Sequence, residues 1–249
     1  MDITLLGTAA AAGGAERDNT YLLLRHGESY TMIDVGGNPL GKLAKLGVDV
    51  NRVDRVIFTH AHIDHVYGFP SLLWGMWLAK RMKPLTVHCS EEQEPQLRKW
   101  LDVMEIDAWP IQFSIDIRTF DWTKESYLAE EEHVAISAFP SLHLGPTAGL
   151  SIRYLDKVLV YSADTELNPW IKERAHIDVL IHEATTAERS GAHHSSLQGI
   201  ADYYPLERIG RIVAVHITDS EPYENVLGKL PPAASAKISL GFDLMTISL

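Results

Sequence analysis

Apolar and polar residues fall into short blocks along the chain, and the blocks switch between the two-residue period of a strand and the longer period of a helix. Residues 2–6, DITLL, read as a strand, followed by GTAAAAGGAERDN, a small-residue loop that permits close backbone approach. TYLLLRHGESYTMIDVGG reads as a hairpin turning at His26-Gly27-Glu28, and NPLGKLAKLG as a short helix stopped by Gly47. RVDRVIFTH is a strand. GFPSLLWGMWLAKRM is a helix apolar around much of its surface, which predicts burial, and the spacing of Trp74 and Trp77 marks them as core. PLTVHC is a strand, and SEEQEPQLRKWLDVM a helix with Ser90 as its N-cap. Residues 111–120 and 133–139 alternate as strands, and GLSIRYL with KVLVYSAD makes a second hairpin. LNPWIKERA (helix), IDVLIHEA (strand), SSLQGIADYY (helix), RIVAVHI (strand) and an extended tail, AKISLGFDLMTISL, complete the chain. The pattern predicts an α/β fold, with residues 1–249 as one domain of two similar halves.

Several of these strands end on chemistry. VIFTHAHIDHVYG places His60, His62, Asp64 and His65 directly after a buried strand. Neutral imidazole and carboxylate are ligands of zinc and similar metals. On a tightly turning backbone His60 and His62 can share one ion while Asp64 and His65 face a second. The missing ligands belong at later strand ends: His143 in SLHLGP, Asp164 in VYSADTE, where a carboxylate can bridge two ions, and His216 in VAVHITD. Carboxyl ends of strands are where open α/β sheets place their sites.

Composition narrows the setting. The net charge of −11 offers no obvious basic face for a phosphate backbone, so nucleic acid is not favoured as a partner. Residues 91–132 hold twelve Asp or Glu against four Lys or Arg, and such acidity repels a polyanion. Lys80, Arg81 and Lys83 form the one compact basic cluster nearby and read as a solvated helix end. With the single cysteine Cys89, no signal-peptide pattern and no apolar run long enough to span a bilayer, the expectation is a cytoplasmic protein with no membrane partner.

THAHIDHVYG followed in order by His143, SADT and His216 resembles the metallo-β-lactamase superfamily over nearly the whole chain. The resemblance implies a four-layer αβ/βα sandwich, two mixed sheets inside and helices outside, with a dinuclear site along one edge. It implies that His60, His62 and His143 hold one metal, that Asp64, His65 and His216 hold the other, and that Asp164 and a water bridge them. Two divalent ions are expected, zinc first, although the same ligands would hold manganese or iron.

DVLIHEATTAERSGAHHSS resembles the matching segment of ribonuclease Z, the tRNA-processing endonuclease, which implies that His194 assists at the leaving oxygen with support from Glu183. Asp64, His194 and Glu183 are thus the expected catalytic residues. His193 is expected to face solvent, and His182 to pack or to hydrogen-bond a ligand. Cyclic-phosphate phosphodiesterases of phosphonate breakdown are similar in size, but their cysteine-rich zinc site has no counterpart here. The expected function is a dinuclear phosphodiesterase acting through a metal-bridging hydroxide on a small or short substrate. The alternatives are hydrolysis of a lactone, thioester or β-lactam, a ribonuclease Z with an atypical docking surface, or a non-catalytic metal-binding sensor. Relatives of this branch suggest a homodimer.

Overall fold

The computed structural model describes residues 1–131 and 133–249. The strands are β1 (Asp2–Gly7), β2 (Tyr21–His26), β3 (Ser29–Ile33), β4 (Val53–Ile57), β5 (Leu85–Ser90), β6 (Ile115–Phe120), β7 (Ser126–Glu131), β8 (Val134–Pro140), β9 (Ala148–Tyr154), β10 (Lys157–Tyr161), β11 (Ile177–Glu183), β12 (Ile209–Val215), β13 (Ile238–Leu240) and β14 (Thr246–Ser248). The helices are α1 (Pro39–Lys45), α2 (Ile63–Val66), α3 (Phe69–Leu78), α4 (Glu94–Val103), α5 (Pro169–Lys172), α6 (Leu197–Tyr203), α7 (Tyr223–Lys229) and α8 (Pro232–Ser235).

The strands form two seven-stranded sheets, ordered β14-β1-β2-β3-β4-β5-β6 and β13-β12-β11-β10-β9-β8-β7. Both repeat one pattern. Antiparallel pairings run from β14 to β3 and from β7 to β10, and parallel pairings run from β3 to β6 and from β10 to β13. Parallel neighbours need crossovers, and these supply the helices on the outer faces.

Side-chain alternation sorts the core into layers. Ile3, Leu5, Leu24 and Ile57 of one sheet meet Ile136, Leu150, Leu159 and Val213 of the other in the central layer. The opposite faces of the same strands, such as Leu23, Met32 and Val56, pack under Leu43 of α1, Leu72 and Met76 of α3, and Leu97 of α4. Leu180 and Ile212 pack under Ile171 of α5, Ile200 of α6 and Val226 of α7. This is the four-layer αβ/βα sandwich. No helix among the described residues is long and apolar enough to cross a membrane.

Local expectations differ from the structure in instructive places. α3 ends at Leu78, and it is not buried all round: Trp74 is 43% exposed and stacks edge to face with Trp77 and Trp109 on the outer surface. A helix laid on a sheet keeps one face outside however apolar its sequence. Ser90 closes β5 and does not cap α4, whose N-cap is Gln93; the two exchange bonds, Gln93 N–H to Ser90 Oγ and Ser90 N–H to Gln93 Oε1. Arg81 is not a solvated cation. Its buried guanidinium donates to the carbonyls of Asn51, Lys83 and Pro84, pinning the chain that leaves α3. The strand expected over 111–120 begins only at Ile115, while β7, α7 and α8 had no clear sequence signal.

Candidate metal centre

The carboxyl ends of β3, β4, β10, β11 and β12 and the segment after β8 converge on one edge of the sandwich. β3 delivers Asp34, and the turn after β4 delivers His60, His62, Asp64 and His65, the last two on the single turn of α2. His143 follows β8, Asp164 follows β10, and His216 follows β12. The backbone is left-handed at Asp34 (φ 59°), at Ala163 just before Asp164 (φ 51°) and at His216 (φ 57°). Such conformations cost a non-glycine residue about 1–3 kcal/mol and persist where the surroundings enforce them. Here they turn the chain abruptly so that a side chain faces the edge. Gly36 lets this edge close, because a Cβ there would lie 2.2 Å from the Asp64 carbonyl oxygen.

The seven expected ligands come together in two groups that share Asp164: His60, His62, His143 and Asp164, and Asp64, His65, Asp164 and His216. In the first, His62 Nδ1 lies 3.1 Å from both His60 Nε2 and His143 Nε2, and Asp164 Oδ2 lies 3.7 and 3.8 Å from those two nitrogens. In the second, His65 Nε2 is 3.4 Å from Asp64 Oδ2 and from Asp164 Oδ1, and His216 Nε2 is 3.5 and 3.4 Å from Asp64 Oδ2 and Asp164 Oδ2. A tetrahedral ion with bonds of about 2.0–2.1 Å sets its ligand atoms roughly 3.3–3.4 Å apart.

Hydrogen bonds behind the rings show which nitrogens face inward without a proton. His143 Nδ1 lies 2.8 Å from the His193 carbonyl, which can only accept, so Nδ1 carries the hydrogen and Nε2 the lone pair. His65 Nδ1 donates to Asp34 Oδ2 at 2.9 Å. Thr59 Oγ1 gives its own proton to Asp34 Oδ2 and therefore accepts from His60 Nδ1. Thr185 Oγ1 gives its proton to Glu183 Oε2 and accepts from His216 Nδ1. Four imidazole lone pairs and two carboxylates thus point at one another. His65 Nε2, His216 Nε2 and Asp164 Oδ1 are buried with no hydrogen-bond partner among the described residues. Acceptors facing acceptors in a buried site are stable only around positive charge, and divalent cations fit this donor set.

The electrostatics show the same need for positive charge at the centre. Burial pushes His60 well down, toward the neutral ligand form, and His65 and His143 add to the shift. Burial alone would raise Asp164, but the charges of His216 and His65 outweigh it and hold the carboxyl well below the usual range. Burial alone would lower His65, but Asp164 and Asp34 overcome it and push the ring upward. Without an ion, positive charge on the rings is what keeps these carboxylates ionised, and a bound divalent cation would take over that part as the rings become neutral ligands.

Glu183 closes β11 and lies beside this centre. It is buried, and it accepts bonds from the N–H groups of Thr165, Thr185 and Ser195, from the Thr185 hydroxyl, and from His194 Nδ1 at 3.0 Å. The His194 ring stacks on His216 with centroids 5.4 Å apart and meets His143 at 4.8 Å. Its Nδ1 being taken, Nε2 is the nitrogen available to a substrate. Burial opposes the charged form of His194, but the bond and charge of Glu183 prevail and its pKa is raised.

His182 is fully buried and bonds Tyr204 Oη at 2.8 Å, so it packs and touches no ligand. The His193 side chain is 48% exposed, as expected of a solvent-facing residue, yet its carbonyl orients His143. Sequence reasoning missed Asp34, Thr59, Thr185 and that carbonyl. Asp34 had a signal, an acid at the end of an apolar strand just before two glycines. The small-residue loop after β1 braces the centre: Ala10 N–H bonds the Ile217 carbonyl, and Ile217 N–H bonds the Thr8 carbonyl, next to His216.

Residues 1–230 match the family model described as anti-Pycsar protein Apyc1. A ribonuclease Z of Bradyrhizobium diazoefficiens is 36% identical over 86 residues, 34% of this chain and 29% of that protein's length. A ribonuclease Z of Methanothermobacter thermautotrophicus is 21% identical over 100% of this chain and 97% of its own length. The human short-form tRNase Z superposes over 100% of this chain and 99% of its own, with TM-score 0.78 and 24% identity. With the two mixed sheets, the edge-on cluster and the His-x-His-x-Asp-His turn, these likenesses place the fold in the metallo-β-lactamase superfamily, on its ribonuclease Z branch, and the chain belongs to the Apyc1 family of anti-Pycsar proteins.

Proposed function

We propose that this metal-dependent hydrolase is a phosphodiesterase for small or short substrates, with His60, His62, His143, Asp64, His65, His216 and the shared Asp164 holding two divalent ions, zinc in the first instance. Ions bound there would acidify water to a nucleophile and offset the charge that gathers on a phosphoryl group. Asp164 spaces the two ligand groups, and Asp34 and Glu183 hold the rings that face them. A phosphodiester loses an alkoxide, which needs a proton as it departs. His194 supplies it from Nε2, because Glu183 on Nδ1 raises the pKa of the ring and favours its protonated form.

The observation that carries this reading is the fixed, elevated imidazole of His194 beside both ligand groups. It serves a poor oxyanion leaving group, a need that thioester cleavage, which releases a stable thiolate, does not share to the same degree. The test is metal analysis of the purified protein followed by turnover of bis-nitrophenyl phosphate, a lactone and a thioester. Good lactone or thioester turnover with no phosphodiester cleavage refutes it.

The likeness to ribonuclease Z proteins favours a second reading, precursor-tRNA cleavage. Against it, the acidic stretch after residue 90 folds into α4, β6 and β7 and holds twelve Asp or Glu against four Lys or Arg. Cleavage of a precursor tRNA at low salt would establish that reading, with the docking surface supplied by a partner or a second subunit.

A further inference from the structure

Four strands lie at sheet edges: β14 and β6 in the first sheet, β13 and β7 in the second. An open edge presents unpaired N–H and C=O groups that can pair with another chain, and folds usually blunt it. β13 and β14 are three residues long, and β7 breaks register between Tyr127 and Ala129. β6 is not blunted in either way. Its six residues pair with β5 in unbroken register, and its sequence, IDIRTF, holds no proline.

The direction of its backbone follows from the bonds at its two ends. Leu85 N–H bonds the Ser114 carbonyl and Glu91 N–H bonds the Phe120 carbonyl, so the even-numbered residues turn their backbone toward β5. Ile115, Ile117 and Thr119 therefore turn theirs outward. Beside this edge runs a groove of about 800 Å³, with Ile115 and Ile117 on one side and Leu101 of α4 and Ile111 on the other. Its rim is acidic. Asp102, Glu105 and Asp107 are exposed there, and Arg98, the one cation lining the groove among the described residues, is held by Glu94 Oε1 at 2.8 and 2.6 Å. None of these residues belongs to the two ligand groups or to the Glu183–His194 pair.

We propose that the open edge of β6 docks an extended segment of a protein partner, which adds a strand to the first sheet, lays alternate apolar side chains in the groove and brings lysine or arginine to its acidic rim. Main-chain bonds to Ile115, Ile117 and Thr119 hold the segment, and the groove reads its side chains. Charge selects the occupant. Two copies of this chain pairing β6 to β6 antiparallel, about a twofold axis normal to the sheet, would set Asp102, Glu105 and Asp107 of both along one seam. A nucleic acid would meet the same carboxylates. A cationic segment gains from them.

The probe is a labelled peptide, Lys-Val-Thr-Val-Thr-Val-Lys, titrated against the full chain by fluorescence anisotropy. In antiparallel pairing with the valines in the groove, the valine N–H groups face β6 and the threonine N–H groups face away. N-methylating the valines should therefore weaken binding by about tenfold or more, the worth of two or more hydrogen bonds, and N-methylating the threonines should not. Selective loss with the threonines instead would make the pairing parallel and keep the assignment. Thr119→Pro removes an outward N–H and leaves the β5 ladder intact, as proline on an edge strand can, and should weaken binding by about tenfold. Asp102→Lys with Glu105→Lys should weaken it several-fold, and added salt should do the same to the unaltered protein. The melting transition of each variant checks its fold, and the methylated peptides test the pairing without any variant. No saturable binding of the unmodified peptide, equal binding of the two methylated peptides, or undiminished binding to a folded Thr119→Pro protein overturns the proposal. A dimer of the unaltered chain that Thr119→Pro dissolves would give the edge to a second copy and overturn it too.

Discussion

Asp34→Asn tests the logic of the metal centre without touching a ligand. Asp34 is fully buried and accepts three bonds: Thr59 N–H at 2.8 Å, Thr59 Oγ1 at 2.8 Å and His65 Nδ1 at 2.9 Å. An asparagine of the same shape keeps the first with its carbonyl, but its NH₂ then faces Thr59 Oγ1 and His65 Nδ1. His65 escapes a donor–donor contact only by moving its proton to Nε2, where Asp64 Oδ2 and Asp164 Oδ1 wait at 3.4 Å. That tautomer satisfies the ring and withdraws its lone pair from the second ligand group. Rebinding an ion there restores the clash, and leaving one buried donor unsatisfied costs about 1–3 kcal/mol. At 1.4 kcal/mol per tenfold, this agrees with the roughly 10–100-fold loss of affinity seen when a group orienting a metal ligand is removed. His60 depends on Asp34 only through the Thr59 hydroxyl, so the first ligand group should lose less. Metal content after dialysis against buffered zinc, followed by calorimetric titration, reads both affinities. One tight ion should remain while the second binds about 10–100-fold more weakly. Two ions held with unaltered affinity, or loss of the His60–His62–His143 ion first, would refute the tautomer argument.

Other consequences can be measured on the same protein. His194→Ala should slow cleavage of an alkyl phosphodiester by about 10²–10⁴-fold and of a nitrophenyl ester far less, because only the poor leaving group needs the proton; equal losses in kcat for both would remove His194 from the acid role. Glu183→Gln should move the basic limb of the kcat/KM profile to lower pH. The acid works protonated, Glu183 raises its pKa, and activity disappears as pH rises through that value, so neutralising Glu183 brings the loss earlier; an unmoved limb would separate the two residues. Chelation should lower the melting temperature, since ions at 100 times their Kd contribute about 2.7 kcal/mol per site, which corresponds to roughly 5–10 °C in a chain of this size. A scan unchanged by chelator, repeated after metal analysis shows the ions gone, would argue against any coupling of site and fold.

How much of this was legible depended on whether the information is local. His60, His62, Asp64 and His65 announce themselves because their spacing alone places them on one turn. His143, Asp164 and His216 were found because each follows an apolar strand. The alternation in β1–β5 and β9–β12 was strong enough to give an α/β chain of two halves, while the four layers came from the resemblance carried by the motifs. β7 was not, because its register shifts between Tyr127 and Ala129 and its SYLAEE sequence lies half exposed at a sheet edge. α8 is four residues long, too short for any period. Trp74 misled because a period reports which residues share a face, not whether that face is covered.

What the sequence hid was the apparatus that decides what each ligand offers. A histidine is a ligand by identity but a lone pair by context, and the contexts come from elsewhere in the chain. Asp34 sits 31 positions before His65, and the carbonyl that fixes His143 lies 50 positions after it. A carbonyl has no sequence signature at all. Glu183 joins the two functions of the site, since it holds His194 directly and His216 through the Thr185 hydroxyl. Proton delivery and metal binding therefore share one buried carboxylate. A substitution at Thr185 that leaves every ligand in place should still alter both, because its hydroxyl meets Glu183, His194 and His216 at once.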